Sequence, residues 1–106
     1  MAPSNEIVAV GRRKSATARV RIKPGTGVIT VNGKPVAAYM ARDVLVMLAN
    51  QPFDATDNGG KWDVRANCAG GGVAGQAGAL RLGIARALAK VDAKYISVLR
   101  RYNLLT

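Results

Sequence analysis

Three glycines, Gly70, Gly72 and Gly75, spell G-x-G-x-x-G inside CAGGGVAGQAGALR at positions 68 to 81. Glycines just ahead of a helix leave backbone N–H groups uncovered, and the helix dipole adds partial positive charge there. A phosphate can then approach the backbone closely. The dinucleotide form of this motif needs a later strand, with an acid that holds a ribose hydroxyl. No strand follows here, and Asp92 falls at a helix boundary. The P-loop form fails as well, because Gln76 and Ala77 follow Gly75 where Lys and Ser or Thr are required. Tight packing of the helix on a sheet is the other use for such glycines. Gly70 to Gly72 suit ligand approach and Gly83 suits packing.

The remaining chemical groups are sparse. There is no histidine, the usual general base and commonest metal ligand. Cys68 is the only cysteine, so no disulfide forms within the chain and no Cys/His set holds zinc. Cys68 reads as an inert core thiol. The acids Glu6, Asp43, Asp54, Asp57, Asp63 and Asp92 are scattered, and nothing local pairs them. An enzyme is not expected, and neither is a cofactor.

Charge is informative where catalytic groups are not. Sixteen Lys and Arg face six acids, a formal +10 over 106 residues. A compact domain with that excess repels itself, and a polyanion relieves the repulsion. Six of the thirteen residues from Gly11 to Lys23 are basic and none is acidic. Arg81, Arg86 and Lys90 follow on the helix after the glycines, and Lys94, Arg100 and Arg101 near the end. Such a stripe marks a nucleic-acid footprint. Only five residues are aromatic, so phosphate and sugar contacts to folded RNA fit better than base stacking. No helix-turn-helix, zinc finger or basic zipper favours DNA.

The elements that position these groups follow from periodicity. IVAV at 7 to 10 is apolar and β-prone. From Arg19 to Lys23 apolar and basic residues alternate, predicting a half-buried strand with a cationic outer face. Pro24 to Gly27 reads as a turn into VITV at 28 to 31, so these two strands are expected to form a hairpin. Val36, Met40, Val44, Met47 and Leu48 predict a helix over about 35–50, stopped by Pro52. Alternation from Trp62 to Cys68 predicts a third long strand, and a second helix covers about 73–91 with Ala77, Leu80, Ile84, Ala87, Leu88 and Val91 inward. Asp92 caps a short last helix. The order β-β-α-β-α with a short C-terminal helix implies one α+β domain over 1–106, a two-layer α/β sandwich with helices on one sheet face. No run of 18 apolar residues predicts a membrane-spanning helix, and the opening MAPSNEIVAV lacks the pattern of a secretory signal.

Two stretches carry a family resemblance. GRRKSATARV at 11 to 20 and GGGVAGQAGALRLGIARAL at 70 to 88 resemble the bacterial-type small-subunit ribosomal protein nine family. KPGTGVITVNGKP and the closing YISVLRRYNLLT are similar to the same family, so the likeness spans essentially the whole chain. It implies a structural constituent of the small subunit, bound to the 3′ major (head) domain of its ribosomal RNA beside neighbouring head proteins, in cytoplasmic or organellar ribosomes. It also implies a left-handed crossover, against the usual right-handed rule. By position, Arg12, Arg13 and Lys14 match the RNA-contacting tip, extended by Ser15, Thr17, Arg19 and Arg21. Gly70, Gly71, Gly72, Gly75 and Gln76 match the backbone-approach motif, with Arg81 and Arg86 on its helix; Arg100 and Arg101, from the basic stripe, are expected as further RNA contacts. Family members continue past the position of Thr106 with a basic tail reaching the P-site transfer RNA, so that contact is expected only where the tail is present. A free RNA-binding regulator outside the ribosome is the competing reading.

Overall fold

A computed structural model describes residues 6–105; the opening five residues and Thr106, which belong to segments read above, lie outside it. Strands β1 (Ile7–Arg13), β2 (Ala16–Pro24), β3 (Ile29–Val31), β4 (Lys34–Pro35) and β5 (Trp62–Ala69) form one sheet. Helices α1 (Val36–Met40) and α2 (Asp43–Ala55) precede β5, and α3 (Val73–Val91) and α4 (Lys94–Arg101) follow it. The spatial order is β1-β2-β5-β3-β4. Its mixed pairing and one-sided helices make the expected α+β two-layer sandwich.

Pairing is where expectation and structure part. Arg19–Lys23 does not form a hairpin with 28–31, because β5 lies between them, antiparallel to β2 and parallel to β3. The hairpin partner of β2 is β1, in register from Ile7↔Ile22 to Arg13↔Ala16, with its turn at Lys14 and Ser15. Periodicity identifies a strand and its buried face, but not its neighbour. The Pro24–Gly27 segment is instead a strap across the start of β5. The amides of Thr26, Gly27 and Val28 donate to Asp63 Oδ1 at 2.9, 3.1 and 3.0 Å. A short hairpin unseen in the sequence joins β3 to β4 through Asn32 and Gly33, both at positive φ.

These three bonds, that to Val28 foremost, hold the Asp63 carboxyl below its ordinary value of 3.8. A depressed carboxylate stabilises the fold above its unfolded pKa, and that stabilisation fades as pH falls through the folded value. Melting temperature should therefore drop on acidification below about pH 4, and Asp63→Asn should lose less over the same range. Equal losses in both proteins would show that the strap contributes nothing to acid sensitivity.

The expected 35–50 helix is two helices. Ala41 takes a left-handed conformation (φ 59°) and closes α1 before α2 begins at Asp43. That break resets the helical phase. Leu45, Ala49, Pro52 and Phe53 turn inward, while Val44 and Met47, expected in the apolar stripe, are exposed. Pro52 does not stop α2. Its side chain is buried, and the Thr56 hydroxyl donates to the Pro52 carbonyl at 2.8 Å, closing the final turn.

The core sits between the sheet and α3. Ala16, Ala18, Val20 and Ile22 of β2 and Val64, Ala66 and Cys68 of β5 point to the helical side. Burial pushes the Cys68 thiol up to about 11, so it stays protonated and unreactive. Helix α3 matches its expected 73–91 span and is buried well beyond one stripe, because β1 and β2 cover one side and α2 the other. Among the described residues the opposite face of the sheet carries no helix. Asp92 ends α3, and its carboxylate accepts from the Lys94 amide at 3.0 Å, the capping role expected of it.

Candidate nucleic-acid interface

The two motifs separated by about fifty residues in sequence meet at one end of the sheet. β5 ends beside the β1–β2 turn, with Thr17↔Ala69 in register, so Gly70 and Gly71 pass directly over Ser15 and Ala16. Gly70 (φ 78°) and Gly71 (φ 56°) carry the sharp turn from strand into helix. A Cβ on Gly70 would also collide with the Ser15 carbonyl oxygen. Gly72 precedes α3, and nothing lies within 4 Å of where its Cβ would stand. Arg13, Lys14, Ser15, Gly71, Gly72 and Gly75 line a shallow open cavity here. The N-terminal end of a 19-residue helix opens into it.

Strand pleating divides the basic segment. Arg13 pairs with Ala16 and lies over Gly78, on the helical side with the glycines. Arg12 pairs with Thr17, and Thr17, Arg19 and Arg21 follow along the open face. Of the tip residues, Arg12 thus shares the open face with Arg19 and Arg21, and Arg13 does not.

A chain of side-chain bonds holds the glycine turn from behind. The Gln76 amide donates to the Gly70 carbonyl at 3.0 Å, and its Oε1 accepts from the Tyr39 hydroxyl. Asn32 donates to Tyr39 and to the Cys68 carbonyl, each at 3.0 Å, and accepts from the Cys68 amide at 2.9 Å. Gln76 is buried. It stands behind the turn rather than on its open side, so its route to RNA is through the loop it orders. Asn32 and Tyr39 were not flagged by the sequence. Their contacts to Cys68 and Gln76 span more than thirty positions, which no local pattern encodes.

Residues 11–106 match the family model described as Ribosomal protein S9/S16. The chain belongs to the ribosomal protein S9 family. Among its relatives, the small ribosomal subunit protein uS9 of Maridesulfovibrio salexigens is 53% identical over 98 residues, covering 92% of this chain and 75% of that protein.

The other basic positions of this S9-family chain divide by what holds them. Arg81 donates to Gln51 Oε1 at 2.9 Å and so ties α3 to α2. Arg86 donates to the Val10 carbonyl at 2.9 Å, and Lys90 to the Val8 carbonyl at 2.6 Å. Both cations thus cover outward carbonyls on the edge of β1. Arg100 and Arg101 are exposed in the last turn of α4, where they favour the helix dipole. Helix α4 packs on α2 and α3, so this pair is not brought to the tip. Among the described residues no three His, Cys, Asp or Glu side chains are grouped to hold a metal, and no helix is long and apolar enough to cross a membrane.

Proposed function

We propose that this chain is a structural, RNA-binding component of the small ribosomal subunit, seated on the 3′ major (head) domain of its ribosomal RNA among neighbouring head proteins. One observation carries the reading: Arg13 and Lys14 share a cavity with Gly71, Gly72 and Gly75 at the start of α3. Two cations, uncovered backbone and a helix dipole there favour the same ligand, a phosphodiester. The glycine turn admits the RNA backbone closely, and the cations lower the repulsion between phosphates where RNA helices converge. Specificity comes mainly from RNA shape. The role is architectural rather than catalytic.

The test is a salt titration of binding to a 3′ major-domain RNA fragment, beside a scrambled RNA of equal length. The true fragment should bind more tightly, and the preference should persist at high salt. Arg13→Ala/Lys14→Ala should reduce the log-log salt slope by about 2. Gly72→Val, placed where a side chain meets no neighbour, should weaken binding without altering melting. An unchanged slope, with unaltered binding by Gly72→Val, would remove the tip from the interface. Equal, salt-labile binding to both RNAs would favour a generic RNA-binding regulator.

A further inference from the structure

The face of the sheet away from the helices is a second charged surface. Its residues follow from the pleat: Val8, Val10 and Arg12 on β1, Thr17, Arg19, Arg21 and Lys23 on β2, and Asp63, Arg65 and Asn67 on β5. Across the strands Arg21 stands directly opposite Arg65, and like charges so placed repel. Arg65 is partly compensated by Glu6 at 3.3 Å, and Lys23 stands opposite Asp63, which the strap amides engage. Arg19 and Arg21 have no ion pair among the described residues. A shallow cavity lies between Arg21, Lys23, Thr30 and Arg65, and the acids Glu6 and Asp63 line it too. The acids thus offset Arg65 and Lys23 and leave Arg19 and Arg21 as the uncompensated cations of an open sheet face, an arrangement that an anion spanning them would relieve.

We infer that this face binds a second RNA strand, separate from the RNA held at the tip, with its backbone running along β2. Alternate residues on a strand are about 6.8 Å apart, close to the separation of successive phosphates in one nucleic-acid chain. Arg19, Arg21 and Lys23 therefore present one cation per phosphate. Thr17, Thr30 and Asn67 add neutral donors, and no aromatic side chain faces outward among them for a base to stack on. The occupant is thus a phosphodiester backbone read without sequence. Arg13 and the glycine turn lie on the other side of the same sheet, so one β-hairpin sits between two RNA segments and fixes their separation. For the class of its partner this inference rests on the RNA-binding reading above.

The measurement is stoichiometry. The full chain is titrated with a labelled oligouridylate too short to reach around the sheet. Wild type should saturate at two oligonucleotides per chain. Arg19→Ala/Arg21→Ala should saturate at one, with its salt slope lowered by about 1.4, the value for two lost single-strand phosphate contacts. Arg19→Lys/Arg21→Lys should restore the second equivalent, which separates lost charge from damaged folding. Saturation of wild type at one, or two equivalents retained by Arg19→Ala/Arg21→Ala, would overturn the inference while leaving the tip reading intact. Arg13→Ala/Lys14→Ala should also fall to one equivalent. If that variant still bound the head-domain fragment with an unchanged slope, the tip reading alone would fail. Polyglutamate that bound the sheet face in place of oligouridylate would assign it to an acidic protein segment, and would equally overturn the inference.

Discussion

Gly11→Ala should lower the melting temperature by roughly 10–20 °C, the equivalent of about 3 kcal/mol in a domain of this size. Gly11 lies on β1 at the point where α3 crosses closest. A Cβ there would collide with the Ala79 carbonyl oxygen and the Gly83 amide nitrogen. Both are backbone atoms in the middle of a 19-residue helix, and no rotamer change moves them aside. On the other side of the contact, a Cβ on Gly83 would stand 2.6 Å from Val20 Cγ2 and 3.2 Å from the Gly11 nitrogen. Two missing side chains thus set the distance between the layers. An added methyl has to push α3 off β1, opening the core over Ala18 and Val20. Gly72→Ala is the control and should melt within a few degrees of wild type. A loss of only a few degrees in Gly11→Ala would mean that α3 can slide on the sheet, and the tight crossing would not be a main source of stability.

Gln76→Leu should cost about 1 kcal/mol, since it leaves the Gly70 carbonyl without its donor and the Tyr39 hydroxyl without its acceptor in a partly buried place. It should also weaken RNA binding several-fold, because the turn that presents Gly71 and Gly72 loses its tether. The salt slope should stay unchanged, as no cation is lost. Tyr39→Phe decides how Gln76 acts. The Tyr39 hydroxyl is turned into the network, so its removal reaches RNA only by loosening Gln76 and the loop. Weaker binding in Tyr39→Phe, smaller in size but in the same direction, marks Gln76 as a positioning residue. Intact binding in Tyr39→Phe beside a loss in Gln76→Leu would mean that the Gln76 amide meets RNA itself.

Much of this was legible because two signals are local. Apolar periodicity located α3 and β5 nearly to the residue, and acid-free basic spacing marked the 11–23 segment. The packing expected of Gly83 appears at its contact with Gly11. Gly70 was expected to serve ligand approach, yet its missing side chain is also required by the Ser15 carbonyl beneath it. What stayed hidden depends on distance along the chain. Insertion of β5 between β2 and β3 is decided by pairing over about forty residues, and the strap on Asp63 exists only once that pairing is made. The break at Ala41 was hidden for another reason. Alanine is a good helix former, so nothing local marks the left-handed turn at Ala41 that lies between buried Met40 and buried Leu45.

Arg86 and Lys90 point to a property of the chain before any RNA reaches it. An outer strand with open carbonyls is a template on which another copy can add a strand, the first step of ordered aggregation. Here α3 folds back and occupies those acceptors at Val8 and Val10 with its own cations. At the far side the sheet ends in the two-residue strand Lys34–Pro35, too short and too proline-bound to recruit a neighbour. Among the described residues both sides of the sheet thus offer less to a templating strand, while the hairpin tip and open face stay ready for a polyanion. Protection of the strand edge and adhesion to RNA are assigned to different basic residues.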